Sequence, residues 1–365
     1  MTEPRSTATV DLDAIAHNAT RLLRALDGAE LVAVVKAAGY GHGALPVAQA
    51  AIEAGATRLG VAALAEAAEL RVGKVTAPII VMGPIGGHDD YIAARDLGVE
   101  LVVWTPDACR SASAAHLPVH LKIDTGMGRL GARVEDVEGL VDAAGNARVV
   151  GLMTHLATAD EREGENAGFM TEQLLRFRGI CGSLRSRFPD AIVHAANSAA
   201  CLRDGAAAFD AARCGIALYG CSPFHGNPDD EDLRPALRWS SRLASVKTIR
   251  SQESVGYGRA HRVARGTRIG LVPVGYADGA SRSLGNTASL LVGGRRVPII
   301  GNVSMDQLTV DLGPESTDRV GDEAVLVGRQ GGERITVEEV AAWRGTINYE
   351  VTCGIGLRVV RTWTR

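Results

Sequence analysis

Between Leu31 and about Leu218 the chain alternates short apolar runs with helix-compatible segments, and this rhythm constrains the fold more than any other feature. The runs read LVAVV (31–35), RLGVA (58–62), PIIVMG (78–83), ELVVW (100–104), VHLKID (119–124), RVVGLMTH (148–155) and IVHAAN (192–197). Segments such as ALPVAQAAIEAGA, LAEAAELRVG and NAGFMTEQLLRFRGICGSLRSRF lie between them. Strand–helix units of this spacing predict a parallel sheet with buried strands. So many units in about 200 residues close better into a (β/α)8 barrel than they spread as an open sheet. DLDAIAHNATRLLRAL supplies an early helix, with Asp11 or Asp13 placed to cap it.

After about Pro235 the rhythm changes. ALRWSSRLASVKTI, TRIGLVPVGY, ASLLVGGRRVPII and MDQLTVDLG are short, β-branched and separated by Gly, Asn and Asp turns. One helix, TVEEVAAWRG, carries Thr336 with Glu339 three residues on, a capping-box pattern. The expected architecture is α/β: an N-terminal (β/α)8 TIM-like barrel over residues 1–234 and a C-terminal, mostly antiparallel β domain over 235–365. The first residues are free in this scheme to pack with the β domain. Ser222–Pro235 reads as the surface connection between the halves.

Composition excludes several function classes. A net charge of -3 argues against general nucleic-acid binding, which rests on phosphate neutralisation by Lys and Arg. The opening MTEPRSTATV has no apolar h-region, and no apolar run reaches the roughly 18 residues of a membrane span. Six scattered cysteines without C-x-x-C predict buried or free thiols, no metal site and a cytoplasmic location.

Candidate chemistry sits at the ends of the apolar runs. Lys36 closes the first, where a barrel places active-site residues. A lysine there commonly just reaches water, but against apolar walls it becomes the amine nucleophile of Schiff-base chemistry. GYGHG follows at once, and its glycines let the backbone approach a ligand closely. HLKIDTGMGRLG presents Arg129 on a glycine-rich loop, either as a surface arginine or as a fork for a substrate carboxylate. Ser198 and the Gly215–Ile216 amides could cradle a phosphate. A structural role is the alternative for Arg213. In the β half, SVGYGRAH, GYADGASRSLGN, GNVSMDQ and TINYEVT each set a Tyr, Met or Asp beside turn residues. Tyrosines at such junctions are usually packing residues.

Taken in order, these motifs resemble the alanine racemase family, fold-type III enzymes that use pyridoxal 5'-phosphate (PLP). The resemblance runs from ATVDLDAIAHN to INYEVT, through both domains. It implies that Lys36 holds PLP as a Schiff base and that Tyr40, Ser198, Gly215, Ile216 and Tyr349 contact the phosphate. It places Arg213 at the pyridine nitrogen, with His155 as a hydrogen-bond partner nearby. It assigns Arg129 and the Met305 amide to the substrate, with Asp306 beside the latter. Asp160 and Tyr276 match residues narrowing the substrate approach, and Lys122 matches a lysine that some members carboxylate. It further implies a homodimer whose second subunit contributes Tyr257 and Met305.

The chemistry accounts for these residue types. PLP makes an amino acid's Cα proton removable, and racemisation must remove it on one face and return it on the other. Two bases solve that geometry: Lys36 and Tyr257, by resemblance. The implied activity is interconversion of L- and D-alanine, supplying D-alanine for peptidoglycan. Cys214 stands where the family usually has proline, and Asn302 and Ser304 where arginine and cysteine are usual. Ala38 and Gly39 fall in a run that varies within the family. The changes beside Met305 motivate an alternative: a racemase acting on serine or larger amino acids. A PLP-dependent decarboxylase and a non-enzymatic PLP-binding protein stand further off, since TGMGRLG and GYGR are intact and the second domain is present.

Overall fold

The computed structural model describes residues 4–365. Strand β1 (Ser6–Asp11) runs directly into helix α1 (Leu12–Leu26), which is the early helix read from the sequence. Eight parallel strands then close a barrel in chain order: β2 (Glu30–Val34), β3 (Arg58–Val61), β4 (Ile79–Val81), β5 (Glu100–Val103), β6 (Pro118–Lys122), β7 (Arg148–Met153), β8 (Ile192–His194) and β9 (Ala211–Cys214). The main helices between them are α2 (Ala44–Glu53), α3 (Leu64–Val72), α4 (His88–Asp96), α5 (Pro106–Ala114), α6 (Val137–Ala144), α7 (Phe169–Leu184) and α8 (Ser198–Arg203). Seven of the strands coincide with the apolar runs. The eighth, β9, has no such run, because Arg213 interrupts AARC. It nevertheless closes the barrel by pairing Val32 with Arg213. Val32, Ile80, Val102, Met153 and Ala211 form one buried cluster, with Met82, Trp104 and Ile192 packed against it.

The segment read as the surface connection is held down. Asn18 on α1 donates to the Arg234 carbonyl at 2.9 Å and accepts from the Arg234 amide at 2.8 Å. Pro228–Glu231 forms a 3-10 turn, and Leu233 is buried. A side-chain amide that both donates to and accepts from one residue's backbone fixes the segment much as a sheet ladder would.

The second unit combines residues 4–13 with Pro235–Arg365, while Ala14–Arg234 form the first. Its strands are β10 (Leu237–Arg242), β11 (Ser245–Ile249), β12 (Ser254–Val255), β13 (His261–Arg262), β14 (Thr267–Val272), β15 (Ser289–Val292), β16 (Arg295–Pro298), β17 (Leu308–Gly313), β18 (Glu323–Gln330), β19 (Glu333–Ile335) and β20 (Val360–Thr364). The largest sheet runs β16-β15-β18-β10-β1-β20, with β19 on β18; a second is β11-β14-β17, and β12 pairs with β13. All pairings in this unit are antiparallel except β1 with β20. Helix α9 (Val337–Arg344) starts on the capping box read from the sequence. Thr336 Oγ1 accepts from the Glu339 amide at 3.1 Å, and Glu339 Oε2 accepts from the Thr336 amide at 3.1 Å.

Candidate active site

Lys36 lies just past β2, and the turn it opens is left-handed. Ala37, Ala38, Gly39 and Tyr40 all have φ between 50° and 64°. The sequence assigned this turn's freedom to its glycines, yet three of the four residues carry a β-carbon. A left-handed residue with a β-carbon costs roughly 1–2 kcal/mol, so the surrounding structure must hold it. Glu66 on α3 does so: one carboxylate oxygen accepts from the Ala37 amide at 2.6 Å, the other from the Ala62 amide at 2.7 Å. The Val35 amide donates to Gly60 O at 2.9 Å, and Gly39 and Gly43 amides return to Val35 O and Ala38 O. Tyr219 stacks on Tyr40 at 4.9 Å, and its hydroxyl donates to Val34 O at 2.9 Å. Neither Glu66 nor Tyr219 carried a local sequence signal.

Four cations gather at the same end of the barrel. The buried Lys122 is pushed down to about 8, first by burial and then by the charges of Arg213, Arg129 and Lys36, against Asp124. Burial, then Arg213, Lys122, Arg129 and Lys36, holds His155 well below the usual imidazole range. His155 is therefore neutral, and its Nδ1 accepts from Arg213 Nη2 at 3.2 Å, because a guanidinium only donates. Arg129 rides on the loop after β6. The Asp124 carboxylate shapes that loop by accepting from the amides of Gly126 (2.9 Å), Met127 (2.8 Å) and Gly128 (3.0 Å).

Ser198, at the start of α8, and the turn after β9 form a cradle. Ser198 Oγ accepts from the amides of Gly215 (2.9 Å) and Ala217 (3.4 Å), which leaves its own proton to donate. A β-carbon at Gly215 would sit 2.3 Å from the Tyr40 hydroxyl, so only glycine keeps this space open. Ile216 starts the buried turn Ile216–Tyr219. The ensemble offers one amine, an excess of positive charge and a cluster of hydroxyl and amide donors, which suits an anionic ligand. Asp160 is exposed in the loop leading to α7.

In the β unit the site residues are open to solvent. Tyr257 is 75% exposed and Met305 53% exposed. Tyr257 sits between Gly256 and Gly258, both at positive φ, and its carbonyl accepts from Asn302 Nδ2 at 2.9 Å. The turn at Tyr276 interlocks with the Met305 loop: Tyr276 N donates to Ser304 O and Ala277 N to Met305 O, each at 3.0 Å. Asp306 accepts from Arg358 at 2.8 Å, and Arg358 also donates to Asp278 at 2.9 Å. Tyr349 lies on α10 (Asn348–Cys353) and is half-buried.

Two family profiles cover the chain. The alanine racemase N-terminal domain matches residues 10–223 and the alanine racemase C-terminal domain matches residues 236–363. The chain belongs to the alanine racemase family. The alanine racemase of Symbiobacterium thermophilum is 42% identical over 97% of this chain and 96% of its own length. That of Geobacillus kaustophilus is 43% identical over 98% and 94%. Among solved structures, the alanine racemase of D-cycloserine-producing Streptomyces lavendulae superposes with a TM-score of 0.94 at 36% identity, covering 100% of this chain and 98% of that one. The Bacillus anthracis alanine racemase with bound L-Ala-P gives 0.90 at 37%, covering 100% and 96%. The alanine racemase likeness thus spans the barrel and the β unit alike.

Proposed function

We propose that this chain is a PLP-dependent alanine racemase that works as a cytoplasmic homodimer and supplies D-alanine for peptidoglycan. The observation that carries the cofactor assignment is the cradle of Tyr40, Ser198 and Gly215 beside Lys36, within a group of cations that calls for an anionic ligand. When bound, PLP supplies the electron sink that makes a Cα proton removable.

The chain's own residues do the rest. Lys36 Nζ anchors the cofactor and exchanges the Cα proton on one face. Ser198, Tyr40, Tyr349 and the Ile216 amide would hold the phosphate, joined by the Gly215 amide once it turns from Ser198 Oγ. Both Nη groups of Arg213 are occupied by carbonyls and imidazoles, so its Nε–H is the donor left for the ring nitrogen. A guanidinium keeps its proton there. Arg129 forks onto the substrate carboxylate, and carboxylation of Lys122 would turn a repelling cation into an anion that steadies it. The Tyr257 hydroxyl exchanges the proton on the opposite face, and the Met305 amide and Asp306 border the substrate. Asp160 and Tyr276 narrow the approach.

Exposure of Tyr257 and Met305 supports the dimer, since a phenol that moves one chosen proton works best where bulk water is excluded. Binding of L-Ala-P by the Bacillus anthracis relative supports an alanine-sized site. Five of the six cysteines are buried, which fits a reducing compartment. Among the described residues no helix is long and apolar enough to cross a membrane.

A second reading, racemisation of serine or larger amino acids, rests on Asn302 and Ser304. Asn302 holds the Tyr257 carbonyl, and Ser304 Oγ donates to Gln307 O at 2.8 Å, so both departures shape the substrate border. Chiral analysis of L-alanine, L-serine and L-lysine after incubation with the PLP-loaded protein separates the readings. Equal enantiomers from alanine alone supports the narrow site. Comparable rates on all three favour the broad one, and no D-product from any overturns both.

A further inference from the structure

Arg213 presents a charge problem. It is 4% exposed, and among the described residues no carboxylate pairs with it. Burial alone pushes it down to about 10. Its five bonds go to three carbonyls, His194 O (3.0 Å), Thr154 O (2.8 Å) and Ala195 O (3.0 Å), and to two imidazoles. A buried cation without a counter-charge is costly, so its compensation must arrive from further off.

The hydrogen bonds show the route. Arg213 Nη1 lies 3.0 Å from His194 Nδ1. A guanidinium only donates, so that nitrogen is unprotonated and His194 carries its hydrogen on Nε2. Nε2 lies 2.9 Å from His120 Nδ1, which must then accept. His120 in turn carries its hydrogen on Nε2, 2.9 Å from Glu100 Oε2. Burial pushes the Glu100 carboxyl up, but the hydrogen bond from His120 and the charges of Arg58 and Arg148 prevail, leaving it below its ordinary value and ionised. Each link fixes the protonation of the next.

The barrel is built around this file of residues. It crosses from Glu100, the first residue of β5, through His120 on β6 and His194 at the end of β8, to Arg213 on β9. Both imidazoles are fully buried and meet edge-on at 86°. A β-carbon at Gly151 would lie 1.9 Å from His120 Nδ1, so only glycine admits the ring. The β6–β7 ladder also shifts register between Val119 and His120.

We propose that Glu100, His120 and His194 are positioning residues for racemisation: a relay with fixed tautomers that carries a carboxylate's charge through the barrel and holds Arg213 in one orientation. This rests on the role given to Arg213 above. A glutamine at position 100 removes the charge, and its amide can also donate to His120. That would reverse both imidazoles and set His194 Nδ1–H against the Arg213 N–H.

The test uses histidine-selective 15N labelling of the PLP-loaded enzyme, with kinetics on the same samples. Wild type should show His120 and His194 as neutral Nε2–H tautomers. Glu100→Gln should alter both signals and lower kcat about tenfold, the scale seen when the partner behind a ligating histidine is lost, with KM within twofold. Glu30→Gln is the control. It removes the other carboxylate beside Arg58 and should change neither readout. A cationic or Nδ1–H imidazole in wild type overturns the relay, even if Glu100→Gln does not fold. So does a Glu100→Gln enzyme with wild-type kcat, or an equal loss in Glu30→Gln. If wild type does not racemise, the functional reading fails while the tautomers still decide the relay.

Discussion

The two units treat their candidate site residues in opposite ways. In the barrel, Arg213, Ser198 and Lys122 are at most 5% exposed, each held by hydrogen bonds or neighbouring charges. In the β unit, Tyr257, Met305 and Tyr276 are at least 46% exposed and are held in their turns through their own backbone atoms. The barrel half is pre-organised within one chain, which is what cofactor positioning needs. The β half presents side chains without enclosing them, as expected of groups that function only when something else covers them.

Tyr257→Phe should give the largest effect. Turnover of L-alanine should fall by roughly 10²–10⁴-fold, the range for loss of a general base, while exchange of the D-alanine Cα proton continues through Lys36. Because the side chain is exposed, the melting temperature should stay within about 1 °C. A loss of stability in step with activity would erase the contrast between the units.

A smaller but wider effect is expected from Gly215→Ala in the barrel. The new methyl meets the Tyr40 hydroxyl and must displace it. Overpacking of this kind costs about 1–3 kcal/mol, so both thermal stability and PLP affinity should drop together, the latter about tenfold in an absorbance titration. Unchanged affinity would mean that the cradle lies elsewhere.

The smallest effect is a pH dependence. Lys122 is held at about 8 in the folded protein against 10.5 in its absence, so between those values the unfolded chain binds the extra proton. Stability from this group therefore rises with pH across that window, by at most roughly 3 kcal/mol. Comparing melting temperatures of the cofactor-free protein and Lys122→Met from pH 8 to 10 should show the wild type gaining on the variant. A constant difference would show that Lys122 is not buried as a cation.

Legibility in the sequence followed the range of the interactions. Seven barrel strands announced themselves because each is a local apolar run, and the Thr336–Glu339 cap because its partners are three residues apart. β9 did not, since a strand interrupted by Arg213 has no apolar signature. The left-handed turn was hidden because alanines at 37 and 38 give no hint of positive φ; Glu66, which holds them, lies 29 residues from Ala37. Glu100, His120 and His194 sit on three strands, with gaps of 20 and 74 residues, and only parallel register brings them into line. Lys36, Arg129, Ser198 and Gly215 stand out as candidates because they lie in glycine-rich or polar motifs at strand ends. How those motifs are braced was not written locally.

The left-handed turn after Lys36 also has a bearing on the order of assembly. Its three residues with β-carbons are adverse on their own, and what offsets them comes from α3 and the Gly60 carbonyl, elements that must already be docked. A nascent or partly collapsed chain therefore carries an ordinary solvated lysine at this position. The amine takes its special place late, when the barrel wall behind it is complete. If Lys36 holds the cofactor as proposed, chains that stall before β3 and α3 dock would lack the braced amine that captures its aldehyde.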